Sequence, residues 1–251
     1  METLTVQAYL NETWTDIALI KYPGSEKNDW NTTQLDYLTE YAINFLDYDD
    51  FHAVSVNHPV SLFFDDHGQP GWLRFIDDII PAGASRRYWI NALDISELPV
   101  GQQNFLLLKF GTMSPVGNLR IKESVPEWNK FASTKTFTVA DVIDRAADFL
   151  DYAQERGAAA GGATGAGGEA PKLLLRCSET DAIWIDTWQN EPDNRDRYYL
   201  VKYPRGNRTE VDCNILRAEF HYYHELNAMG FSTIPVETMR LEEGSHYPSL
   251  W

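Results

Sequence analysis

The sequence predicts an α+β protein with a small mixed-sheet subdomain over residues 1–135, followed by a second unit over residues 136–251 with an antiparallel sheet and one main helix. Three observations carry this reading. Leu4, Val6, Ala8 and Leu10 alternate with residues suited to the opposite face, the period-two mark of a strand. After Thr138 the pattern changes, and Val142, Ile143, Ala146, Phe149, Leu150 and Ala153 recur at helical spacing. Near the end of the chain, the β-rich run 197–203 is followed by a helix-patterned segment that stops at Gly230.

Taken in order, residues 4–10 and 14–22 form a hairpin that turns at Asn11-Glu12 and closes at Pro23-Gly24. Residues 54–56, 60–64 and 105–110 are rich in strand formers, whereas 31–46 and 71–80 have the mixed spacing of short helices packed on a sheet. Thr138-Val-Ala-Asp141 reads as a capping box, and the helix it opens runs to Gly157. A strand is expected at 172–176, then an irregular acidic connection containing Trp184 and Trp188, and then the strand at 197–203. A helix over about 214–229 follows, and Ile234-Pro-Val236 leads into a last strand through Met239 to Leu241.

Composition excludes several function classes. The 251 residues are 43% hydrophobic and 13% aromatic, enough for ordinary packed cores. Thirty-seven acidic against 21 basic side chains leave a net charge of −16, which repels phosphate backbones and anionic lipid head groups; direct nucleic-acid or membrane binding is not expected. Two cysteines, Cys177 and Cys213, make neither a disulfide framework nor a metal cluster, and the start lacks a secretory pattern, so a cytoplasmic protein is expected. The longest apolar runs, such as residues 105–108, are far shorter than the ~20 residues that span a bilayer. The Asn-x-Thr triplets at Asn11, Asn31 and Asn207 are then chance sequons.

The chemistry-bearing constellation starts at residues 157–171, where six glycines and six alanines occur among fifteen residues. Glycine lets backbone N–H groups approach phosphate oxygens closely, so this stretch is either a phosphate cradle or a flexible linker. Lys172 closes it, and thirty residues downstream Lys202 lies inside an apolar strand. Period two puts Leu200 on the same face as Lys202, an aliphatic floor for a base beside a compact charge for phosphates. The alternative for Lys202 is an edge-strand lysine reaching into solvent. Glu219, seventeen residues beyond Lys202, borders the helix stripe Leu216, Phe220 and Tyr223. It either orients the lysine, as kinase-type ATP sites require, or is a solvated helix acid.

With these motifs in place, the chain resembles the HipA family of bacterial serine/threonine protein kinases, the toxins of toxin–antitoxin pairs. The resemblance extends over nearly the whole chain. Tyr9-Leu-Asn-Glu-Thr-Trp14, His58-Pro-Val-Ser-Leu62 and Phe75-Ile-Asp-Asp-Ile-Ile-Pro-Ala-Gly83 are similar to its leading subdomain. Gly167-Gly-Glu-Ala-Pro-Lys172 resembles its phosphate loop, and Tyr199-Leu-Val-Lys-Tyr-Pro204 its lysine strand. The segment Asn214-Ile-Leu-Arg-Ala-Glu219, with Met229-Gly-Phe231 and Ile234-Pro-Val236, is similar to its following helix and exit.

The resemblance implies a kinase-like N-lobe with an αC-like helix, in which Gly165, Gly167, Gly168, Lys172, Leu200 and Lys202 bind ATP and Glu219 orients Lys202. It also implies autophosphorylation at Thr164, the only hydroxyl residue within 157–171, which would set a dianion against the ATP phosphates. The partners implied are a DNA-binding antitoxin and a protein Ser/Thr substrate. The family's catalytic-loop aspartate and asparagine and its Mg²⁺-binding aspartate have no matching pattern in the 251 residues. The expectation is therefore that a C-terminal kinase lobe, in cis or trans, supplies catalytic residues and Mg²⁺ ligands, and that this chain carries none. The reading from another class is a non-catalytic regulatory or antitoxin-like module that docks on a separate kinase chain.

Four further features receive bland readings. His221 and His224 lack the spacing and third ligand of a zinc site, and Asp65-Asp-His67 precedes a turn. Asp47, Asp49 and Asp50 lack calcium-loop spacing, and Arg86-Arg87 is a basic pair open to partner docking.

Overall fold

The computed structural model describes residues 1–27, 29–62, 71–112, 117–125, 135–144, 149, 172–184, 195–205 and 207–251. These fall into two compact units, up to residue 125 and from residue 135 onward, each mixed α+β with antiparallel sheets.

In the first unit, β1 (Glu2–Leu10) and β2 (Thr13–Tyr22) pair antiparallel across a two-residue turn. Asn11 and Glu12 both have positive φ, 48° and 63°, the twist that matches a tight hairpin. A register shift after Val6 leaves Ile17 bulged, so Ile17 and Ala18, adjacent in sequence, are both fully buried. β3 (Gln34–Tyr37) joins β2 and β4 (Leu119–Ile121) joins β1, giving the order β3-β2-β1-β4. The helices are α1 (Thr39–Asn44), α2 (Gly83–Ala92) and α3 (Val100–Gly111), with a 3-10 turn at Arg74–Asp78. Leu4, Val6, Ile20, Tyr22, Phe105 and Leu108 belong to one core.

Four expectations for this unit need correction. Residues 105–110 are helical, not a strand. Gly101, Phe105, Leu108 and Thr112 are buried at helical intervals and Leu107 as well, so a helix covered on most of its surface has the continuous apolar run of a strand. Residues 54–56 form no strand, because the Val54 N–H donates to the Tyr37 hydroxyl at 2.9 Å and pairing is confined to a bridge between Ser55 and His58. The described part of 60–64 is also non-strand, and 31–46 divides into β3 and α1.

The second unit contains β5 (Phe137–Thr138), β6 (Lys172–Cys177), β7 (Ala182–Trp184), β8 (Arg197–Lys202), β9 (Leu241–Glu243) and β10 (Pro248–Leu250). Their sheet order is β5-β7-β6-β8-β10-β9, with every pair antiparallel. Helix α4 (Val139–Ile143) opens with the expected capping box of Thr138 and Asp141; its continuation to Gly157 was read from residues that lie mostly outside the described ones. Helix α5 (Glu210–Ala228) starts four residues earlier than expected, because Thr209 and Asp212 form a second capping box. Gly230, at φ 85°, follows its end. Trp184 lies in a strand, not an irregular connection, and the Arg176 guanidinium sits 4.8 Å from its ring centroid. The last strand expected at 239–241 is instead the β9–β10 hairpin, preceded by a 3-10 turn at Val236–Thr238. Leu175, Cys177, Ile183, Tyr199, Val201, Tyr203 and Trp251 build the core. No helix among the described residues is long and apolar enough to cross a membrane.

Candidate functional site

Strand parity builds the site. β6 and β8 pair so that Lys172 faces Lys202, Leu174 faces Leu200 and Arg176 faces Tyr198. Directly paired residues project to the same side of a sheet, so these six side chains share one face. Leu175, Cys177, Tyr199 and Val201 take the opposite face and are buried in the core. Leu200, by contrast, is 38% exposed, an aliphatic surface that the core does not use. The two lysines expected to serve one phosphate tail thus project from the same side of adjacent strands.

Helix α5 supplies the carboxylate. Its buried residues Cys213 and Leu216 anchor it, and the helix packs on β10. Glu219, one turn further along, accepts a charge-assisted hydrogen bond from the Lys202 ammonium. Both side chains are partly covered, 23% and 31% exposed, so the pair is neither a solvated surface contact nor a sealed ion pair. Beside it lies a groove of about 470 Å³ between β8, β10, α5 and residues 234–239. Leu200, Lys202, Glu219, Tyr223, Ile234 and Met239 are among the residues lining it. A mostly apolar cleft with two cations, Arg197 and Lys202, and one carboxylate at its wall is suited to a ligand with a flat apolar part and an anionic tail.

Lys172, Leu200, Lys202 and Glu219 are all described, and an ion pair joins the last two. Thr164, Gly165, Gly167 and Gly168, with the whole glycine-rich loop 157–171, lie outside the described residues. Tyr223 lines the groove one turn beyond Glu219, a position helical spacing could have found. The sequence places Ile234 and Met239 in the exit from the helix and a last strand, with no signal that they line a groove. No sequence signal marks Glu243, whose carboxylate takes two bonds from Arg217, Nε to Oε1 at 2.7 Å and a terminal nitrogen to Oε2 at 2.9 Å.

His224 packs on Phe220 with ring centroids 4.3 Å apart. Among the described residues, no group of three or more His, Cys, Asp or Glu is arranged to hold a metal. Asp50 accepts from the His52 N–H at 3.0 Å, and that bond with the His52 ring contact holds its carboxyl below the usual range. Arg86 reaches Gln103 at 3.4 Å, while Arg87 is exposed. Asp65-Asp-His67 is outside the described residues. Burial pushes both thiols upward, so Cys177 and Cys213 stay protonated and weakly nucleophilic.

No family model, curated protein or solved structure matches the chain.

Proposed function

We propose that the second unit is the nucleotide-binding lobe of a HipA-like serine/threonine protein kinase. The observation that carries the proposal is the ion pair between Lys202 and Glu219. Counting from β6, the lysine is on the third strand and the glutamate on the helix that follows, the placement protein kinases use to set a lysine against nucleotide phosphates. In this reading Lys202 contacts the α and β phosphates of ATP, Glu219 holds its ammonium in place, and Leu200 supports the base. Lys172 and the glycines Gly165, Gly167 and Gly168 receive the phosphate tail, with Thr164 as the residue whose phosphorylation would compete with it. The shared face of Lys172 and Lys202 supports this, because it sets both side chains on the side of the sheet where an anionic tail would lie.

Lysines and backbone donors position phosphates, but phosphoryl transfer also needs a base for the substrate hydroxyl and a metal to neutralise developing charge. A C-terminal kinase lobe, in cis or trans, would bring both, with Mg²⁺ bound there; antitoxin and protein-substrate recognition belong to that whole assembly. Calorimetric titration of the 251-residue chain with Mg·ATP tests the nucleotide reading. Saturable heat that weakens about tenfold or more in Lys202→Ala is expected, since a hydrogen bond to a charged group contributes about 1.5–3 kcal/mol. No heat, or heat indifferent to Lys202, refutes it.

A second reading rests on a separate observation. Val211, Ile215, Tyr222 and Leu226 on α5, with Met229 at its C-cap, are exposed, an apolar array of the kind that marks interaction surfaces. It favours a non-catalytic module that docks on another chain, and ATP-independent association with a kinase chain, lost in Tyr222→Glu, would support it.

A further inference from the structure

Helix α5 is held by ions on two sides. Arg217 and Glu219 are two residues apart, about 200° around the helix. Glu219 reaches Lys202 on β8, and Arg217 reaches Glu243 on β9, with β10 between those two strands. The Arg217 fork is set before it reaches the strand. One terminal nitrogen donates to Asn214 Oδ1 at 2.9 Å and to Glu210 Oε1 at 3.2 Å, leaving Nε and the other terminal nitrogen to grip both Glu243 oxygens. A bidentate guanidinium–carboxylate pair fixes distance and orientation together, which a single-point contact cannot do. The helix packs on β10 and its buried residues are Cys213 and Leu216, and a helix resting on one narrow buried seam can roll about it. Because the two ion pairs hold opposite flanks of the helix, loss of the Arg217–Glu243 pair leaves the roll fixed from one side only, and Glu219 is then free to swing off Lys202.

We propose that Arg217 and Glu243 are positioning residues for the candidate nucleotide site: their bidentate pair fixes the roll of α5 and thereby keeps Glu219 on Lys202. The functional meaning rests on the nucleotide reading above, while the positioning itself is a statement about Lys202 and Glu219 that needs no ligand.

The test follows the Lys202 amine by reductive methylation and mass spectrometry in the full chain, with Lys122 as internal reference. Glu219→Gln removes the partner and sets the upper limit of labelling rate. Arg217→Met and Glu243→Gln are expected to speed Lys202 labelling about two- to fivefold, the scale of a partly exposed ion pair. Arg217→Met/Glu219→Gln should label no faster than Glu219→Gln alone. The exchange Arg217→Glu/Glu243→Arg should return the rate toward the starting value, which a general loss of packing would not do. Unchanged labelling in Arg217→Met, or an additive double variant, overturns the inference. Titration of the same proteins with Mg·ATP separates the two claims. If the starting protein binds no ATP, the nucleotide reading fails while the labelling still decides the positioning. If it binds ATP and Arg217→Met changes neither labelling nor affinity, only the positioning fails.

Discussion

Replacing Tyr37 by Phe removes one oxygen and two hydrogen bonds. The Tyr37 hydroxyl donates to the His58 carbonyl at 2.6 Å and accepts from the Val54 N–H at 2.9 Å, tying both ends of the turn at 54–58 to β3. Val54 is 4% exposed, so its N–H has no ready access to water once the hydroxyl is gone. An orphaned buried donor costs about 1–3 kcal/mol, and the more accessible His58 carbonyl adds less than a second full penalty. The ring keeps its shape, so no cavity contributes. We expect a loss of about 2 kcal/mol, which at a urea slope of about 2 kcal/mol/M lowers the midpoint by about 1 M with the slope unchanged. Residue-resolved amide signals of Val6 and Leu108, both in the core of the same unit, report that transition. An unchanged midpoint would mean that water reaches Val54, refuting the assignment of the phenol as the tie that replaces strand pairing there.

Two further outcomes follow from the ends of α5. The Thr209 hydroxyl and N–H bonds hold the Asp212 carboxyl below its usual range, so its contribution is complete above the unfolded value of about 3.9 and is lost as pH falls through the lower folded value. Asp212→Asn should therefore flatten the acid-side fall in thermal stability below pH ~4, and an unaltered pH profile would show that the box contributes nothing by titration. Gly230→Ala places a Cβ in open space but at φ 85°, so strain alone should cost about 1–2 kcal/mol, read from the melting curve; equal stability would argue against that backbone angle.

What the sequence disclosed was local. The hairpin of β1 and β2, strands β6 and β8, and most of α5 announce themselves through alternation, helical spacing and capping residues within one short window. The pairing of Lys202 with Glu219 was one of two readings the sequence left open, since periodicity fixes the face of each residue on its own element but not which elements meet. Misreadings arose where burial surrounds an element or the element is very short. Phe105, Leu107 and Leu108 are buried together on α3 and imitate a strand. Helix α2 opens without a side-chain cap and carries Arg86-Arg87 in mid-course, so Trp89, nearly fully buried, was a weak signal alone. Strands β7 and β10 have three residues each, too few for a period to show. The grip of Arg217 on Glu243 joins residues 26 apart in sequence, and only the fold brings them together.

Strand β8 assigns Tyr199 and Val201 to one side and Tyr198, Leu200 and Lys202 to the other. Such a strand has a reading frame of two. Deleting or inserting a single residue within Arg197–Lys202 would turn the ammonium into the hydrophobic interior and Val201 toward solvent, whereas a change of two would restore the sides. Length variation inside this strand is therefore constrained by odd and even, a rule that amino-acid similarity scores do not see.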